Sequence, residues 1–269
     1  MKPIRLFLAW LGVAFAIANP VRAITVLNFE GVGDGNWIGS YYSLYGGGGD
    51  YSVNISGYVL VDSDAGGSGN IANEPSASTV WAVDGTDTMN VYAGFTALSF
   101  AYSARLNGSY AVHSGPDGTG TLLASGTLAA TPVGAGDPNG GSYGVWLTVA
   151  PAFGGIARSV TFTSGSSPFN GSSFLVVDNV GMELLPRPIP IAIAGASTSP
   201  SSATLAGTVN PGGQDTSVYF QYGNSPGSYI YTLAGTPPTV SGSSATPVSF
   251  TLTALSSQQR IYWRISTYN

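Results

Sequence analysis

The chain has 269 residues, of which 8% are charged and 12% aromatic; 38 are glycine and none is cysteine. This composition excludes zinc–thiolate, iron–sulfur and cysteine-nucleophile chemistry and gives long helices little to build on. A formal charge of −5 offers no electrostatic footprint for nucleic acid or anionic lipid.

Residues 1–23 read as a secretory signal peptide. Lys2 and Arg5 make a basic start, Leu6 to Ala18 is apolar, and Val21-Arg22-Ala23 supplies small residues at the cleavage positions. Asn19-Pro20 ends the apolar run too early for a spanning helix. Removing this segment leaves five basic residues, all arginine, against 13 acids, a charge of −8. The remainder is expected to be secreted or held at the cell surface, with no membrane insertion. Its acidic surface suits divalent cations, which take oxygen ligands.

Residues 24–185 form the first expected domain. Short runs rich in Val, Thr, Tyr and Phe alternate with Gly, Asn, Asp and Ser, which predicts strands and tight turns. The predicted strands are Ile24–Glu30, Tyr58–Val61, Thr79–Val83, Thr88–Tyr92, Phe95–Ala104, Ser109–His113, Thr121–Ala124, Val145–Val149, Ala157–Thr163 and Ser173–Leu185. Asn107-Gly108 and Asp117-Gly118 are hairpin turn signals. This pattern predicts an all-β, jelly-roll β-sandwich.

Three groups in this domain are candidates for chemistry. Trp37, Tyr41, Tyr42 and Tyr45 cluster in one Gly-rich stretch, where exposed rings could stack on sugars and buried ones would be packing. Asp62, Asp64 and Asn70 start like an EF-hand loop, but Asn73 stands where the bidentate Glu belongs, so a plain turn competes. In the last strand Phe174, Val176, Val180, Met182 and Leu184 share one face by strict alternation, and Asp178 falls on that same face. A buried carboxylate there needs a cation or several backbone N–H groups.

Residues 186–190 carry most of a proline-rich stretch, Pro186-Arg187-Pro188-Ile189-Pro190, and read as an extended linker. Residues 191–269 form the second expected domain, with strands at Ala203–Val209, Ser217–Tyr222, Val248–Leu255 and Arg260–Ser266. A seven-stranded sandwich would want one strand more after the last of these.

Several motifs resemble known families. Leu27-Asn28-Phe29-Glu30-Gly31, the stretch Leu60 to Asn70, Ala72-Asn73-Glu74-Pro75-Ser76 and Val177-Asp178-Asn179-Val180 resemble exported bacterial proteins of the PEP-CTERM type. The sorting tail of that family is absent from this sequence. The same start and finish resemble galactose-binding-like jelly rolls of carbohydrate-binding modules. That resemblance implies a structural Ca²⁺ held by Glu30 and Asp178, to which the Asp62–Asn70 loop could add ligands. The second domain, through Ala203 to Pro211, Val218 to Gly223, Leu255 and Ile261 to Ile265, resembles a fibronectin type III module. Ile261 stands where that family carries its corner tyrosine.

Catalytic patterns are weak. Gly140 to Gly144 and Gly223 to Gly227 fit the nucleophile-elbow pattern, centred on Ser142 and Ser225, but neither lies between a strand and a helix. His113 is the only histidine, with no evident orienting partner. Asn54, Asn107 and Asn170 fit the glycosylation pattern. The expectation is a non-catalytic extracellular matrix or surface protein that binds extracellular polysaccharide or other surface proteins, with glycan and calcium affinity. A purely structural or adhesive module is the alternative, and a secreted polysaccharide hydrolase or esterase is the third class.

Overall fold

The computed structural model describes residues 23–43, 46–134, 142–165, 174–199, 201–256 and 259–268, with backbone only for 194–198. The expected signal peptide, except Ala23, lies outside the described residues, as do Tyr45 and Asn170. Among the described residues there are sixteen strands, one 3-10 turn and no α-helix. The protein is an all-β sandwich fold with antiparallel strand pairing throughout its ladders.

The first ten strands form one hydrogen-bonded network. They are β1 (Ile24–Leu27), β2 (Trp37–Gly39), β3 (Val53–Val61), β4 (Thr79–Val83) and β5 (Thr86–Ala104). Next come β6 (Gly108–His113), β7 (Leu122–Leu128), β8 (Leu147–Val149), β9 (Ala157–Thr163) and β10 (Leu175–Leu184). Their order is β1-β10-β4-β3-β5-β9-β6-β7, with β2 added to β3 and β8 to β5.

Two glycines carry this network round its corners. β3 pairs with β5 through Val53–Ile55 and with β4 through Tyr58–Val61. Between these ladders Gly57 has φ +96°, a conformation that side chains with a Cβ adopt only under strain. β5 spans two of the predicted strands without a break. Its first half pairs with β3 and β9 and its second half with β10 and β8. Gly94, with φ +85°, marks the exchange. The strands so folded enclose one core in which Phe29, Trp81, Phe95, Phe100 and Phe162 are fully buried. Phe162 meets Trp81 and Phe100 edge-on, at 5.2 Å and 4.8 Å between ring centres. Trp146 is half-buried and precedes β8; it packs on a small satellite cluster of Ile71, Val80, Tyr143 and Val176.

The alternation predicted for β10 does not run through. A register shift lies between Asp178 and Gly181, and Asn179 adopts φ +49°. Val176 therefore faces the satellite cluster, whereas Val177, Val180 and Met182 all face the main core. The extra residue changes the side-chain parity, as a β-bulge does. Asp178 consequently does not share a face with Val180 and Met182.

The last six strands are β11 (Ile189–Ser199), β12 (Ser202–Asn210), β13 (Thr216–Gly223), β14 (Tyr231–Val240), β15 (Thr246–Leu252) and β16 (Tyr262–Tyr268). Their order is β11-β12-β15-β14-β13-β16. β14 touches β15 at a single pair, Thr236 with Ser249, so two three-stranded ladders face each other across Leu205, Val218, Phe220, Val248 and Ile265. β11 starts inside the segment read as linker. Pro190 is accommodated because β11 is an edge strand.

Polar contacts join the two sandwiches. Gln214 is buried and donates Nε2 to the Ala93 carbonyl at 2.8 Å, while its Oε1 accepts from Arg158 at 3.2 Å. Arg187 donates Nη1 to Asp50 at 2.9 Å and to Ser52 at 3.1 Å.

Candidate functional site

The structure brings Glu30 and Asp178 together at Ser76. The β-bulge aims the Asp178 carboxylate at the chain segment entering β4, where it accepts from the Ser76 N–H at 2.8 Å and the Asn179 N–H at 2.6 Å. Glu30, just beyond β1, accepts from the Ser78 and Thr79 N–H groups, both at 2.9 Å, and from the Thr79 hydroxyl at 3.0 Å. Ser76 Oγ sits among four acceptors: both Asp178 oxygens at 2.9 and 2.8 Å, the Asn28 carbonyl at 3.2 Å and Glu30 at 3.4 Å. A hydroxyl has one proton to donate, so this spot is rich in electrons. Burial pushes the Asp178 carboxyl above its ordinary value; hydrogen bonds from Ser76 and Asn179 oppose the shift and the nearby Glu30 charge adds to it.

The five expected metal ligands do not form one site. Among the described residues no three acidic or metal-binding side chains converge. Asp62 caps the short 3-10 turn and accepts from the Asp64 N–H. The Asn70 side chain accepts from the Ser142 N–H at 2.9 Å. Backbone bonds from Ser63, Gly67 and Gly69 close this loop on itself, as in a tight turn.

The aromatic group likewise divides. Tyr42 is buried, its hydroxyl accepting from the Phe29 N–H at 2.7 Å and its ring edge-on to Phe29 and Tyr41. Burial pushes its phenol far above the ordinary range. Tyr41 is half-buried and donates to the Glu30 carbonyl at 2.9 Å. These two rings close the end of the sandwich. Trp37 remains 63% exposed.

Trp37 has partners that sequence reasoning missed. It pairs across the ladder with Tyr58, and directly opposed residues present side chains on one face. Tyr58 in turn meets Phe174 edge-on, with ring centres 6.0 Å apart. Ser56, two residues earlier on the same face, donates to Asp87 at 3.0 Å. Burial raises the Tyr58 phenol, and the charges of Asp84 and Asp87 raise it further. Tyr58 and Phe174 thus form a ring pair, Trp37 stands opposite Tyr58 in the ladder, and hydrogen-bonding groups lie beside Tyr58; these three residues are termed the aromatic strip. Starting the predicted strand at Tyr58 hid this: alternation traced back to Val53 puts Ser56 and Tyr58 on the half-buried face away from the main core.

The catalytic candidates are not assembled. Ser142 Oγ accepts from Arg105 at 3.1 Å. The His113 Nδ1 is buried without a hydrogen-bond partner, so no acid orients the ring as a triad requires. Ser225 lies in a turn closed by the Ser228 N–H.

No protein-family model matches the chain, and no curated protein matches it either. Solved structures resemble it at low identity. The K2 cleaved adhesin domain of Lys-gingipain is 10% identical with a TM-score of 0.40, over 60% of this chain and 97% of that one. The N-terminal CBM22-1–CBM22-2 tandem domain of Paenibacillus barcinonensis Xyn10C is 10% identical with a TM-score of 0.31, over 94% and 91%. The glycoside hydrolase domain of Endo-D from Streptococcus pneumoniae R6 is 12% identical with a TM-score of 0.28, over 81% of this chain and 37% of that one. Scores of this size do not carry function from those proteins to this chain.

Proposed function

We propose that this chain is an exported, non-catalytic binding module that takes extracellular polysaccharide on the Trp37–Tyr58–Phe174 strip. The observation that carries this reading is the exposed Trp37 ring, 63% accessible, on β2, where it stands opposite Tyr58 of β3. An aromatic face offers a sugar its apolar side, and the neighbouring Ser56 and acids offer partners to hydroxyls. Binding of insoluble and arrayed glycans by the natural chain and by Trp37→Ala tests it. Export after residue 23, the division into residues 24–185 and 191–269, and a fibronectin-type second module belong to the same proposal. Among the described residues no helix is long and apolar enough to cross a membrane. A structural or adhesive role without a glycan is the outcome if no sugar binds.

A structural Ca²⁺ at Glu30 and Asp178 is a second reading, and the crowding at Ser76 favours it. The oxygens gathered there, from two carboxylates, a hydroxyl and the Asn28 carbonyl, are the hard ligands that Ca²⁺ takes. The same oxygens also hold hydrogen bonds, which compete with a metal. Bound there, the ion would neutralise two facing carboxylates and tie β10 to the segment after β1.

A further inference from the structure

We infer that the cleft between the two sandwiches is a binding site for a carboxylate-bearing saccharide, such as a uronic acid unit of a polysaccharide. This rests on the glycan reading above and names a second, charge-selective site. The cleft encloses about 820 Å³ and is lined by Tyr92, Arg158, Arg187, Pro188 and Tyr268 among others. Its size falls within the range of small-ligand sites.

Charge sets this cleft apart. Residues 24–269 hold only five arginines and no lysine against 13 acids, yet two of the five arginines line it, and no acid does among the described residues. Guanidinium groups match the planar carboxylate geometrically, with paired N–H donors. Both arginines are held in place. Arg158 donates to the Tyr92 carbonyl at 2.6 Å and to Gln214. Arg187 uses Nη1 for Asp50 and Ser52, which keeps the group at the cleft wall and leaves its Nε and Nη2 to a ligand. Its side chain remains 46% accessible.

Two rings complete the arrangement. Tyr92 is 54% and Tyr268 57% exposed, and Tyr219 backs Tyr268 edge-on at 5.7 Å. Tyr92 belongs to the first sandwich and Tyr268 to the second, so a ligand would touch both. The Gln214 bonds to Ala93 and Arg158 hold the walls at a fixed spacing, which lowers the ordering cost of binding.

The test is calorimetry on the full chain with oligogalacturonate, a neutral oligosaccharide of equal length, and polyglutamate. The inference expects the acidic sugar to bind at least about tenfold more tightly than the neutral one, and less tightly at high salt. Arg187→Gln and Tyr268→Ser should each weaken it about tenfold while leaving binding of neutral polysaccharide unchanged. Tyr268→Ser guards against a loss due merely to the broken Asp50 contact. Equal affinity for acidic and neutral sugars, equal or tighter binding of polyglutamate, or no effect of either variant overturns the inference. Failure of Trp37→Ala to reduce neutral-glycan binding would count against the aromatic strip and leave the cleft's acid preference standing.

Discussion

Ser76 grips Asp178 twice, with its N–H 2.8 Å from Oδ2 and its hydroxyl oxygen 2.9 and 2.8 Å from the two carboxylate oxygens. The contact joins the segment entering β4 to the bulge of β10, and Glu30 closes the group from beyond β1. Three distant stretches of sequence thus depend on one small polar knot inside an apolar sandwich. That knot carries excess negative charge, and two predictions follow from its chemistry.

Acidification should stabilise the protein modestly. The Asp178 carboxyl is raised above its ordinary 3.8, and Asp87 is raised by burial as well. A raised acid holds its proton more tightly folded than unfolded. Stability therefore rises as pH falls through the folded value and levels off below 3.8. Melting followed from about pH 7 down to about pH 4 should show a higher midpoint on the acid side. Asp178→Asn should flatten that trend, and a midpoint that falls steadily with acid would refute the assignment.

Calcium should do what protons do. If an ion sits between Glu30 and Asp178, millimolar Ca²⁺ raises the melting midpoint relative to chelator by the mass action of a ligand that binds only the folded state. The effect should vanish in Asp178→Asn. Identical melts in calcium and in chelator would remove the ion and leave the backbone donors as the whole answer to the buried charge.

Gly57 should resist any side chain. A Cβ built there lies 2.5 Å from Asp87 Oδ2 and 2.7 Å from Trp81 Nε1, on backbone at φ +96°. Gly57→Ala should cost at least about 2 kcal/mol, or about 4 °C or more of melting midpoint in a domain of this size. Gly154→Ala is the control, because nothing lies within 4 Å of its Cβ. Equal melting of the two variants would deny Gly57 its corner role.

Much of the fold was legible because alternation and turn residues are local signals. The Asp117-Gly118 turn has positive φ at both residues, as a primed turn demands. β14 was missed because only Gly235 and Val240 of its ten residues are buried and it includes Pro237 and Pro238, so no alternation shows. β11 was missed because proline argues against a strand except at an edge, and edges are set by tertiary pairing. The site was less legible. Nothing in the sequence shows that Asn179 opens a bulge, yet that residue decides where Asp178 points. Exposure decided the aromatic group in the same way: Tyr42 is held inside by the hydrogen bond its hydroxyl accepts from the Phe29 N–H, while Trp37 stayed outside.

The account depends most on Trp37 as a sugar platform, and affinity electrophoresis in gels containing polysaccharide measures that directly. The natural chain should be retarded by at least one neutral glycan. Trp37→Ala should migrate as in a blank gel, with affinity lower by about tenfold or more and an unchanged melting midpoint, since the ring is mostly outside the core. Retardation that survives the substitution, or none by any glycan tried, would contradict the account.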